Sequence, residues 1–119
     1  MRVRWTEYGG RQVLYVDIRQ ASGEEFVALM DESMKMLWAQ PDKVPYLANC
    51  EDATVSPEVM AWIKKHGPNN GKRISKLAVI GVTGVKKVFM DVVQMVFSKV
   101  AVPARSFKTE DEALRWLVQ

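Results

Sequence analysis

From Arg2 to Tyr8 polar and apolar residues alternate, Gly9-Gly10 supplies a turn, and Gln12 to Arg19 carries a Val-Leu-Tyr-Val-Asp-Ile run of strong strand formers. This pattern predicts an N-terminal β-hairpin. Ser22-Gly23-Glu24-Glu25 then reads as a capping box, because the Ser22 hydroxyl can accept from the Glu25 amide while the Glu25 carboxylate reaches back. Phe26, Met30, Met34 and Leu37 follow at helical spacing, which predicts a helix to about Ala39, with Pro41 barring its continuation.

Pro45 to Glu51 predicts a short third strand, and Ser56-Pro57-Glu58 sets a cap, a first-turn proline and a first-turn acid in the preferred order. The second helix carries Val59, Met60, Trp62 and Ile63 and is expected to end at Gly67-Pro68. Lys76 to Val82 is almost wholly apolar after its first residue, as a central strand covered on both faces should be. Thr83-Gly84 turns into Val85 to about Ser98, where apolar positions 85, 88, 89, 92 and 96 share one helical face, although the valine content makes a strand the competing assignment. Arg105 to Lys108 predicts a brief last strand. Thr109-Glu110-Asp111-Glu112 is a second capping box, opening a helix with Leu114, Trp116, Leu117 and Val118. The order is therefore ββαβαβαβα. Strands alternating with helices need right-handed crossovers, so the expected fold is α/β: a mixed, mainly parallel five-stranded sheet with four helices.

A length of 119 residues suits one domain over 1–119, and 48% hydrophobic with 26% charged residues is a folding composition rather than a disordered one. The lone Cys50 forms no internal disulfide, which suits a reducing, cytoplasmic compartment. Arg2-Val3-Arg4-Trp5 follows Met1 with no apolar leader, and Lys86, Lys87, Asp91, Gln94 and Lys99 interrupt the apolar stretch from Val85 to Val102, so no membrane span is expected. The net charge of +3 permits weak attraction to anions without naming a partner. Lys64 through Lys76 holds no acid, yet no aromatic residues interleave its charges; a solvated, mobile loop is expected there rather than a nucleic-acid contact.

Val13-Leu14-Tyr15-Val16-Asp17, Lys76 through Gly84 and the terminal Glu112-Ala113-Leu114-Arg115-Trp116-Leu117, taken in this order of elements, resemble the STAS-like (SpoIIAA-like) superfamily. The resemblance lies closest to its short, stand-alone bacterial STAS/Sec14-type members. It implies an interaction module, in several members switched by phosphorylation of a Ser or Thr at the start of the helix after the third strand. Where the regulatory members read Asp-Ser-Ser/Thr-Gly, this chain reads Asp52-Ala53-Thr54-Val55-Ser56-Pro57. Ala53 has no hydroxyl, which leaves Thr54 and Ser56 as the phosphoacceptor candidates, with an ordinary helix cap as the other reading of Ser56.

Enzyme signatures are missing: no Gly-x-Ser-x-Gly, no phosphate loop ending in Gly-Lys-Ser/Thr, no paired cysteines. His66 has no spaced partner and Cys50 reads as a small buried hydrophobe, so no catalytic residue, metal or cofactor is expected, unless folding brings Asp17, Asp52, Cys50 and His66 together. Three predicted helix starts carry acids; the fourth instead has Thr83, Gly84, Val85, Lys86 and Lys87, an anion-binding candidate at the carboxyl end of a central strand. The competing reading sends both lysines into water and leaves Gly84 a tight turn. Met90, Val93 and Phe97 widen the apolar surface of the third helix beyond one face, which makes them interface candidates for a partner protein, a homodimer or an apolar ligand; burial within the chain is the alternative. The expectation is a non-catalytic regulatory or binding module acting through protein contacts, with a carrier or sensor of an anionic or apolar small ligand as the alternative.

Overall fold

The computed structural model describes residues 1–82 and 86–119. The described residues form strands β1 (Val3–Tyr8), β2 (Arg11–Asp17), β3 (Val44–Asn49), β4 (Ile74–Ile80) and β5 (Ala104–Phe107), with helices α1 (Gly23–Trp38), α2 (Pro57–Asn70), α3 (Lys87–Ser98) and α4 (Glu110–Leu117) between and after them. The sheet runs in sequence order, β1 antiparallel to β2 and every later neighbour parallel, as the alternation of elements predicts.

Sequential order with right-handed crossovers puts all three crossover helices on one face. Accordingly α1, α2 and α3 bury Val3, Leu14, Val16, Tyr46, Ala48, Leu77 and Val79, while α4 alone covers Val13, Tyr15, Leu47, Ala78 and Ile80. All six residues of β3 are buried, so β3 shares with β4 the central position expected of β4. Lys76 seats α4 on its face: its Nζ donates to the carbonyls of Trp116 at 2.9 Å and Gln119 at 3.3 Å, where a helix end leaves acceptors free.

The local signals hold. Ser22 and Glu25 complete the reciprocal capping box, Ser56 Oγ accepts from the Val59 amide, and Thr109 Oγ accepts from the Glu112 amide. At Thr109 the reciprocal half differs, because the Glu112 carboxylate takes the hydroxyl proton rather than a backbone one.

Two expectations fail for stated physical reasons. Helix α2 does not end at Gly67-Pro68 but continues to Asn70, so the segment expected to be a mobile loop is the last two turns of the helix, a single 3-10 turn at Gly71–Arg73 and the first residues of β4. A proline disfavours helix in its predecessor partly through that residue's Cβ, and Gly67 has none; the Gly71 amide still reaches the Gly67 carbonyl across Pro68. Of the stripe expected to face inward on α3, Phe89 and Val96 are buried, but Val88 is 64% exposed and Val92 half-buried, and the buried side is completed instead by Met90, Val93 and Phe97; Val85 lies outside the described residues. The α3 sequence is apolar on both sides, and its phase is set from outside, because Gly67 on α2 leaves a notch that Val96 and Phe97 fill; a Cβ there would stand 2.6 Å from Val96 Cγ1.

Candidate functional site

The interface candidates Met90, Val93 and Phe97 are core residues, at 5%, 3% and 8% exposure, and present no surface. The apolar stripe that faces water on α3 is instead Val88, the half-buried Val92 and Met95, which sequence reasoning had turned inward or passed over.

Of the anion-binding candidates, Thr83, Gly84 and Val85 lie outside the described residues. Lys86 is the N-cap of α3, with no side-chain cap and no acid in the first turn, and Lys87 is exposed. The Lys86 Nζ already donates to the Cys50 carbonyl at 3.1 Å. The crevice at the carboxyl ends of β3, β4 and β5, about 530 Å³, is lined by Glu51 and Asp52 as well as Lys86 and Lys108, so its charge does not select an anion. Thr54 is exposed in the β3–α2 loop, and Ser56 is engaged as the α2 cap.

The chemistry-bearing side chains occupy separate settings. The Asp17 carboxylate is gripped by Arg19 through Nε and a terminal nitrogen, both at 2.9 Å, and this pairing holds it below the usual carboxylate range. Burial pushes the Cys50 thiol up to about 12, with Lys86 pulling the other way, so it is a neutral thiol at pH 7. The His66 ring lies tilted against Trp62, with centroids 4.8 Å apart, within α2. Among the described residues, no three His, Cys, Asp or Glu side chains are grouped to hold a metal ion.

What the sequence did not disclose is a cavity of about 60 Å³ between the sheet and α1, α2 and α3, walled by Phe26, Met30, Ala48, Cys50, Trp62, Ile63, Leu77, Phe89 and neighbours, with only apolar atoms exposed to it. Its polar wall residues turn their heads away. Ser33 Oγ donates to the Met30 carbonyl at 2.9 Å, which leaves the Tyr46 hydroxyl, 2.8 Å away, as donor to Ser33; Asn70 accepts from Trp38 Nε1 at 3.3 Å. Burial raises the Tyr46 phenol above its ordinary range, which keeps it neutral. The volume is several times what one water requires, yet a water there would find no partner. A hint lay at the end of β3, where Ala48 and, one residue beyond the strand, Cys50 are small residues at alternate positions opposite helices.

Outside the cavity, an open groove of about 760 Å³ runs between the starts of α2 and α3, lined by Ala53, Val55, Ser56, Pro57, Met60, Ala61, Lys64, Lys86, Val88 and Phe89.

Residues 13–118 match the SpoIIAA-like family model. The chain belongs to the SpoIIAA-like family. A similar fold occurs in the crystal structure of an uncharacterised protein of the DUF3478 family from Shewanella loihica PV-4, described as SpoIIAA-like: the match has a TM-score of 0.65 at 16% identity and covers 97% of this chain and 91% of that one. At that identity the likeness speaks for the fold. No curated protein matches the chain. The SpoIIAA-like fold is compatible with a regulatory or binding module, and no helix among the described residues is long and apolar enough to cross a membrane.

Proposed function

We propose that this SpoIIAA-like chain is a non-catalytic binding module that holds a small apolar ligand in the cavity between its sheet and α1–α3. The observation that carries this reading is the cavity itself, about 60 Å³ with a wholly apolar wall in a core whose buried hydroxyls are satisfied elsewhere. Well-packed interiors leave few voids larger than a water, and an apolar void stays dry and takes apolar guests. The non-catalytic part is supported by the thiol held neutral in the core and the His66 ring tilted against Trp62. Xenon probes the cavity directly. Its NMR resonance should shift saturably with the protein, and Ala48→Leu, which fills the space, should abolish the shift; an unshifted resonance would reject the reading.

A second reading, action through protein contacts, draws on the Val88, Val92 and Met95 stripe. Lys87 and Lys99 stand at the two ends of that stripe with exposed Asp91 beside it, so the surface around it carries more cation than acid. The occupant that fits is an acidic, apolar segment of another protein rather than a homodimer partner. Sedimentation should then find a monomer across the micromolar range; a dimer dissolved by Val88→Asp would contradict it.

A further inference from the structure

Resting on the ligand-binding reading above, we propose that cavity and groove form one site for a single-chain anionic amphiphile: its head stays at Lys64 and Lys86, most of its alkyl tail lies in the groove, and the last few carbons pass Phe89 into the cavity. The spaces stand in a row. A small void of about 10 Å³ shares Ala53 and Val55 with the groove and Ile18, Phe26 and Cys50 with the cavity. Phe89 borders all three, and among the described residues it is the one side chain common to groove and cavity. Phe89 is only 5% exposed, yet it lines empty space on both its inner and its outer side. A change of rotamer outward therefore carries the ring into the groove rather than into packed neighbours, which a dense core does not otherwise permit.

Charge fixes the orientation. Among the described residues, the ionisable ones lining the groove are Lys64 and Lys86, with no acid. Lys86 spends one of its three ammonium protons on the Cys50 carbonyl, leaving two for a ligand at the mouth. An ionised head cannot follow the tail, because the cavity offers it no polar atom and burying an unpaired charge is costly. A neutral chain would leave the lysines unused, and a doubly charged one would have a head too many.

Calorimetric titration of the full chain with octanoate and with 1-octanol tests this. Octanoate should bind about tenfold more tightly than octanol, and Lys64→Glu should erase about that factor for octanoate while leaving octanol unchanged. Ala48→Leu should weaken both, with Ala48→Val as the milder filling if the larger residue unfolds the chain. Phe89→Ala should accelerate octanoate association, followed by the fluorescence of Trp62 in the cavity wall. Equal affinities, or an octanoate affinity indifferent to Lys64→Glu, would overturn the head-group assignment while octanol binding left the apolar reading standing. Octanoate binding untouched by both cavity-filling variants would place the tail elsewhere, and an unchanged association rate in Phe89→Ala would remove the gate. If neither compound binds, site and reading fall together.

Discussion

The Lys86 ammonium donates to the Cys50 backbone carbonyl at 3.1 Å, tying the start of α3 to the chain just beyond β3. The same carbonyl also accepts from the Ala53 amide at 3.0 Å, so Lys86 adds a second donor to it from the start of another element. Lys86→Met should therefore cost about 1 kcal/mol, the net worth of a partly exposed hydrogen bond, read as a lower urea midpoint at unchanged slope. An unaltered midpoint would mean that the tie does not hold the helix.

Gly81 follows β4 with φ of +85°, and a Cβ there would stand 2.5 Å from the Glu51 amide nitrogen. Left-handed backbone and a backbone obstacle coincide, and neither yields easily. Gly81→Ala should destabilise by about 2 kcal/mol or more in equilibrium unfolding. Stability within error of the parent would refute this account of the β3–β4 edge.

In an open helix Gly67→Ala would gain about 1 kcal/mol from propensity. Here the notch accepts Val96, so the substitution should instead destabilise by about 1–3 kcal/mol. Cutting back the opposing residue separates the two effects: added to Gly67→Ala, Val96→Ala should cost less than it does in the parent. Strict additivity in that cycle would deny the contact.

Asp17 is held below the ordinary carboxylate range by Arg19. A depressed folded-state value contributes stability above the unfolded value near pH 4, and that contribution is lost as pH falls through the depressed one. Acid should thus destabilise the parent more steeply than Asp17→Asn in this window, and salt should narrow the difference, since Arg19 is half-exposed. Superimposable acid unfolding curves would show the pair to be without effect.

Much of the architecture was legible because it is written locally. Ser22, Ser56 and Thr109 cap the helices they precede, and the Val-Leu-Tyr-Val and Leu-Ala-Val-Ile runs become interior strands. The end of α2 was misread because Gly67, elsewhere a terminator, here removes the steric objection to Pro68. The facing of α3 was misread because Val88, Phe89, Met90, Val92 and Val93 satisfy two stripes equally, and the choice is made across a helix contact by Gly67. The cavity was illegible for the same reason on a larger scale: its walls come from Ile18, Met30, Ala48, Trp62, Leu77 and Phe89, on different elements, and an unfilled space is a property of their meeting.

The central claim is that this cavity takes a ligand. Methyl NMR of the full chain during titration with 1-octanol addresses it most directly, because the methyl-bearing residues Ile63, Leu77, Val79 and Val93 line the space. Their resonances should shift together and saturably while those of exposed Val88 move little. Shifts confined to Val88 and other surface methyls, or none at all, would contradict the account.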